Sequence, residues 1–390
     1  MEKFDWTVTI RLNIFILKLV GLWPKGNESY KFNFYTLYAI ISITLFVYGH
    51  NITQTLNILF VLNDLEALTG TIVISLTLSL AIIKTYCIIR NMPTLKKLMI
   101  ILNSGIFQPK SIHQKNLVKS NLKEWKMFYM VFLIITWNTV LFYITFPIFD
   151  KSIKEYRLPL MAWYPYDTKI SPSYEITYIY QIMGTFFVAM SNINIDTLIA
   201  ALNMYVGAQC DILCDNLRNL RNEPFPDDID EEFMNCINHH KKIVKFAEDS
   251  NKFFNWIVFV QFFASVISIG LSLFQLTVVA PFTNEFYTYI IYGMAVTVEI
   301  FIYCWFGNEV EIKSANIPYA TFESDWTDAS LAVKKKMIFF IIRCQRPIKL
   351  SALNLFYLSL ENFIGVSCDN FILRTSWSYF AVLHQVNTTN

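Results

Sequence analysis

Apolar residues gather into seven stretches: 34–62, 65–89, 128–149, 174–206, 254–281, 286–306 and a last one that ends at Val386. Each is long enough for a helix to cross a bilayer, which takes roughly 20 residues. Inside a bilayer no water satisfies backbone N–H and C=O groups, so only helices and closed barrels can span it. Barrel strands are segments of about 10 residues with alternating polarity. These stretches are longer and continuously apolar, so the sequence predicts an all-α membrane protein with seven transmembrane helices. Composition agrees: charged residues make up 16% of the chain, against about 25% in soluble domains.

Lysine and arginine decide the orientation. An odd number of spans puts the termini on opposite sides. The segments on the N-terminal side hold 26 of the 32 basic residues, and those on the other side hold 4. Basic residues accumulate in cytoplasmic loops, so the N-terminus is expected in the cytoplasm and the C-terminus outside. Lys84 and Arg374 fall inside apolar stretches. The sequons at Asn51 and Asn387 lie on the expected outer side and are glycosylation candidates, whereas Asn27-Glu-Ser lies on the inner side. Residues Met1 to Leu19 carry acidic groups and no clean apolar core, so no signal peptide is expected.

The cytoplasmic segments are patterned as helices too. Residues 208–219 continue the fourth stretch, 232–251 lead into the fifth, and 332–346 form a separate amphipathic helix stopped by Pro347. Such helices need something to pack on, which implies a cytoplasmic bundle. Chemistry is not indicated. The seven cysteines include no Cys-x-x-Cys pair, which argues against a disulfide framework or a structural zinc site. Cys210 and Cys214 sit one helical turn apart without further ligands, and His239, His240 and Glu232 lack the His-Glu-x-x-His spacing. No phosphate loop or nucleophile elbow is present. No enzyme activity, metal or cofactor is expected. A net charge of +2 with no basic block beyond Lys334-Lys335-Lys336, a membrane flank, gives no reason to expect nucleic acid.

The last stretch, from Glu361 to Val386, carries a polar stripe. Thr375, Ser378, Val382 and Gln385 recur at spacings of three, four and three, which puts them on one helical face. Small polar groups of this kind either glue membrane helices together or face a water-filled pore, in which Val382 and Val386 would form a constriction that closes by dewetting. The residues alone leave both readings open. Asp369 and Arg374, five apart, do not share a face; each must meet protein or water, with Lys84 and Glu299 as partners within the spans.

From Tyr303 onward the chain resembles a known family. The run Tyr303-Cys-Trp-Phe-Gly-Asn-Glu-Val310, then Ser314, Tyr319-Ala320 and Glu323-Ser324-Asp325-Trp326, resembles the end of the sixth span in insect odorant receptors. Residues Lys335 to Pro347 are similar to the helix that follows there, and Ser376-Trp377-Ser378-Tyr379-Phe380 resembles the terminal Ser-Tyr-Ser-Tyr-Phe signature, with Trp377 where Tyr is usual. Gly21-Leu22-Trp23-Pro24 and Tyr164-Pro165-Tyr166-Asp167 fit as well.

The resemblance implies an odorant-gated, non-selective cation channel assembled as a tetramer in the plasma membrane of a sensory neuron. The seventh helix of each subunit would line the pore, with Val382 and Val386 as the gate beside Gln385, Ser378, Thr375 and Tyr379. It implies a heterotetramer with an odorant receptor co-receptor subunit, a homotetramer being the alternative. The co-receptor carries a long insertion between spans four and five; residues 218–252 are short here, the mark of the ligand-tuned subunit. A gustatory receptor would share the architecture, but its terminal Thr-Tyr-x-x-x-x-x-Gln-Phe motif is missing. A G-protein-coupled receptor would run the opposite way through the membrane, and its Asp-Arg-Tyr and Asn-Pro-x-x-Tyr motifs are missing.

The organisation expected is therefore a cytoplasmic segment 1–33, spans one to four as a ligand-binding bundle at 34–206, and cytoplasmic helical extensions at 207–253. Spans five and six follow at 254–306, anchor helices at 307–350, the pore span at 351–386 and an outer tail at 387–390. Subunit anchors are expected among the aromatic and charged residues Trp305, Asn308, Glu309, Tyr319, Trp326, Arg343 and Arg346. The ligand would be a small volatile molecule held by apolar walls with few polar groups. The candidates are Ile74, Thr77, Trp137, Leu141, Ile182, Met183, Phe186, Phe187, Met190, Tyr289 and Tyr292. Lipid is expected around the spans.

Overall fold

The structure is a computed structural model that describes residues 4–26, 30–31, 33–220, 229–327 and 329–363. The seventh stretch lies outside these from residue 364 on, and with it Asp369, Arg374, Thr375, Ser378, Tyr379, Val382, Gln385, Val386 and the Asn387 sequon. The described elements are α1 (Arg11–Leu19), α2 (Phe34–Ser42), α3 (His50–Asn57), α4 (Leu65–Leu102), α5 (Ile112–Phe149), α6 (Ser173–Arg218), α7 (Ile229–Val278), α8 (Asn284–Ala315), α9 (Ile317–Glu323) and α10 (Leu331–Cys344). A two-stranded hairpin follows, β1 (Ser351–Ala352) and β2 (Phe356–Tyr357). A π-helical stretch, Ile43–Gly49, joins α2 to α3. Among the described residues six helical runs are long and apolar enough to span a membrane, starting with Phe34–Phe60.

Helix starts follow the sequence chemistry. Asp64 caps α4 by accepting from Ala67 N–H at 3.1 Å, Asn33 caps α2 through Thr36, Thr283 caps α8 and Ser330 caps α10. Length decides what protrudes. At about 1.5 Å per residue α6 runs about 69 Å and α7 about 75 Å, against an apolar slab of about 30 Å. Both therefore continue beyond it at one end, which we call the stalk end, together with α9 and α10. The connections 61–64, 150–172 and 279–283 form the opposite, loop end.

The central helix is α6. Every residue from Ile193 to Cys210 is buried, the pattern of a helix surrounded by others rather than one with a wet face. The N-terminal segment is bound to it. Asn13 donates to Thr197 Oγ1 at 2.7 Å, and the Tyr205 hydroxyl donates to the Trp6 carbonyl at 2.9 Å. Gly21 then stops α1 with φ +85°, while Leu22 N–H reaches back to Leu17 O at 2.7 Å, a Schellman-type end that favours glycine. A Cβ at Gly21 would sit 2.9 Å from Ala39 Cα, so glycine also permits the contact between α1 and α2.

The helix expected at 332–346 is α10. Its Val333, Met337, Phe340 and Cys344 are buried at four-three-four spacing. Phe340 meets the rings of Phe233 (5.6 Å) and His240 (5.3 Å) on α7, and Lys336 pairs with Asp230 at 2.6 Å.

The hairpin explains a glycine in the motif from Tyr303 to Val310. Leu358 closes the hairpin by donating N–H to Leu350 O at 2.9 Å and lies directly on Gly307 of α8. A Cβ at Gly307 would fall 2.4 Å from the Leu358 carbonyl oxygen. Backbone cannot yield as a side-chain tip can, so Gly307→Ala should lift the hairpin from α8. We expect a loss of about 1–3 kcal/mol, the usual range for overpacking, read as a lower melting temperature of the detergent-solubilised protein. An unchanged melting temperature would show that the contact carries no weight.

Candidate ligand cavity

The connection 150–172 folds down over the loop end. Trp163 N–H donates to Thr53 O at 3.0 Å. Leu160 exchanges two bonds with the Gln181 side chain, each 3.0 Å. Arg157 reaches Asp150 at 3.2 Å and Glu285 at 3.3 Å. Beneath this cap lies a cavity of about 140 Å³. An engineered cavity of about 150 Å³ binds benzene, so the space suits one ring or a short chain. Its walls come from α3 (His50), α4 (Ile74, Thr77), α5 (Val140, Tyr143), α6 (Val188, Ala189, Asn192), α7 (Gln261) and α8 (Tyr292, Val296). The hydroxyls of Thr77 and Tyr292 are 2.7 Å apart and join α4 to α8 across it. A second hollow of about 360 Å³, more polar and nearer the cap, is lined by Glu66, Arg157, Glu285 and Tyr289. Ile74, Tyr143 and Leu160 line both, so they form the partition between them.

Three charges form the cavity floor. Lys84 Nζ lies 2.7 Å from Asp196 Oδ1 and 2.7 Å from Glu299 Oε1, and the Tyr303 hydroxyl donates to Asp196 Oδ1 at 2.6 Å. Lys84 and Asp196 are each 2% exposed. One such charge costs about 2.5–3.5 kcal/mol at the centre of a span, so three left alone would strain the fold severely. Together they bind α4, α6 and α8 at a common level. The partners proposed for Asp369 and Arg374 are thus already engaged with each other. Asp196 was not recognised from the sequence, although an acid deep inside the apolar stretch 174–206 was a sufficient signal.

The ligand candidates divide. Ile74, Thr77 and Tyr292 line the cavity, and Tyr289 lines the hollow above it. Trp137, Leu141, Ile182, Met183, Phe186, Phe187 and Met190 do not line it. Trp137, Leu141 and Met183 are exposed on the outside of the bundle, and Phe186 leans on Trp137. Phe187 and Met190 are buried in the core, with Phe187 stacked on Phe46 at 4.7 Å. The physical reason is that bulky side chains fill space rather than border it. The side of α6 that borders the void carries Thr185, Val188, Ala189 and Asn192.

Asn51 also needs correction. It lies inside α3, is 7% exposed and donates its amide to Ser79 Oγ at 3.2 Å; a sequon must be on an accessible surface loop to be modified. Of the anchor candidates, Trp305 donates to Glu124 at 2.6 Å, Glu309 pairs with Lys313 at 3.4 Å, and Asn308 accepts from Leu360 N–H at 3.5 Å. Trp326 donates to the Phe322 carbonyl at 3.1 Å. Tyr319, Arg343 and Arg346 are exposed.

At the stalk end two histidines are buried neutral. His239 Nε2 donates to Gln209 Oε1 at 2.9 Å, and Gln209 donates in turn to the Phe107 carbonyl at 3.1 Å. Burial pushes the His239 and His240 imidazoles down to about 4, with neighbouring cations adding to it: Lys110 beside His239 and Arg343 beside His240. A histidine held below its unfolded value near 6.5 binds its proton more readily unfolded. Its contribution is fully present above pH 6.5 and is lost as pH falls from there towards 4, by about 1.4 kcal/mol per pH unit for each ring. The melting temperature should therefore fall across that window, and His239→Gln should flatten the slope. A wild-type melting temperature that stays level from pH 6.5 to 4.5 would contradict this. Burial likewise pushes the Cys214, Cys236 and Cys344 thiols up to about 12, so they remain protonated packing groups. Among the described residues no cluster of three or more His, Cys, Asp or Glu side chains is placed to hold a metal.

The comparisons decide the family. A sequence profile described as 7tm Odorant receptor matches residues 64–367. The chain belongs to the insect odorant receptor family. Odorant receptor Or1 of Anopheles gambiae is 25% identical, over 99% of this chain and 97% of that protein. Odorant receptor 46a, isoform A, of Drosophila melanogaster is 25% identical over 60% of each. The insect olfactory receptor OR5 of Machilis hrabei, solved in complex with eugenol, superposes with a TM-score of 0.83 at 19% identity, covering 98% of this chain and all of that one. A second structure of the same receptor gives 0.84. The odorant receptor described here is thus a multi-pass membrane protein with the helical fold of that receptor.

Proposed function

We propose that this odorant receptor is the ligand-tuned subunit of an odorant-gated, non-selective cation channel in the plasma membrane. The observation that carries the reading is the cavity under the loop end, ring-sized and walled by six helices, five of which also extend into the stalk. The Machilis receptor, which binds eugenol, has this fold. The loop end carries few basic residues and the stalk end many, so the cavity faces outward and the stalk lies in the cytoplasm. Tyr319, Phe322, Ile338, Phe339 and Ile342 expose large apolar surfaces on the stalk. Apolar surface left in water marks an interaction site, and here it suits packing against other subunits in a tetramer with the co-receptor.

In this mechanism a volatile molecule enters the cavity and prefers the conformation in which the seventh helices have moved apart. It shifts gating only by the difference in its affinity for the two states. Val382 and Val386 form the closed constriction, flanked by Gln385, Ser378, Thr375 and Tyr379. Expression with and without the co-receptor, under a panel of volatiles, tests this. A cation current that requires both chains supports the heteromer, and one from this chain alone supports the homotetramer. A ligand-evoked G-protein signal without current would overturn the channel reading.

A further inference from the structure

Several buried polar atoms in the cavity wall have no partner. Gln261 is 2% exposed; its amide N–H donates to Ser265 Oγ at 3.0 Å, and its Oε1 has no partner. Asn192 Oδ1 also has none. The Tyr143 hydroxyl and His50 Nδ1, each of which can donate or accept, are unpartnered as well. Both residues with an unused amide oxygen line the cavity, as do the Asp196 and Glu299 carboxylates, which outnumber the single Lys84 ammonium. Buried acceptors without donors are costly. Ile74, Val140, Val188 and Val296 provide apolar contact for a hydrocarbon body.

We propose that the cavity selects volatiles carrying an O–H or N–H donor, namely small alcohols, phenols or amines, over ethers and hydrocarbons of the same shape. This rests on reading the cavity as the ligand site. The donor would bond Gln261 Oε1 or Asn192 Oδ1, with the carboxylate floor drawing an amine further. A hydrocarbon or ether fills the same volume and leaves those acceptors unmet.

The test uses the full chain expressed with the co-receptor and matched probes. Benzyl alcohol and anisole are isomers that differ in the hydroxyl donor, as are 1-butanol and diethyl ether. Benzylamine and ethylbenzene complete the set. In each isomeric pair the alcohol should act at roughly tenfold lower concentration, the equivalent of about 1.4 kcal/mol. Gln261→Leu should narrow that gap; Asn192→Leu serves if the first variant does not reach the surface. Benzylamine at least as potent as benzyl alcohol points to the carboxylates as acceptors, and the alcohol alone points to the amides; both support the proposal. Anisole, diethyl ether and ethylbenzene matching or exceeding the donors would overturn it and leave the channel reading intact. No current to any volatile, with both chains at the surface, would overturn the channel reading itself.

Discussion

Lys84→Met should prevent the receptor from accumulating at the cell surface. The substitution removes the one cation that Asp196 and Glu299 share and leaves two carboxylates at the level where α4, α6 and α8 meet. A buried ion pair adds little net stability over an apolar replacement, but removing one partner costs about 3–5 kcal/mol. That is a large fraction of the 5–15 kcal/mol by which most domains are stable. The triple variant Lys84→Met, Asp196→Asn, Glu299→Gln has no charge to strand and should recover surface level and melting temperature in large part. Surface labelling and thermal unfolding in detergent check both. A single variant as abundant and heat-stable as the wild type would mean that the cluster does not hold the three helices.

Filling the cavity gives the second large effect. Ala189 borders the void from α6, so an indole at Ala189→Trp would occupy the space a ring-sized ligand needs. Sensitivity to active volatiles should fall by about a hundredfold, the equivalent of about 2.8 kcal/mol, with surface level preserved. Leu141→Ala is the matched control. Leu141 is 56% exposed on the outer surface of the bundle, and its truncation should leave sensitivity as it was. Dose–response curves for the two variants separate a cavity site from a site among the bulky residues. Equal losses would place the ligand elsewhere.

The comparison between sequence and structure has a physical pattern. Spans were legible because a bilayer demands long apolar helices, and the amphipathic α10 was legible from its spacing and from Pro347. Gly307 stood inside a recognisable motif, but its purpose was not readable, since the Leu358 carbonyl that requires it lies fifty-one residues away in sequence. The cavity was the least legible part. Voids are bordered by small and polar side chains such as Ala189, Asn192 and Gln261, none of which stands out in an apolar stretch. Lys84 and Glu299 did stand out, and Asp196 carried the same signal unread. Each sits deep in a different span, and the cost of isolated charge in lipid already required them to meet.

The central claim is that a ligand in the cavity opens the channel directly, and excised membrane patches test it most directly. Patches from cells expressing this chain with the co-receptor, bathed without nucleotide, should still pass cation current when an active volatile is applied, and Ala189→Trp patches should stay silent. Current that disappears on excision and returns only when GTP is added would contradict the account.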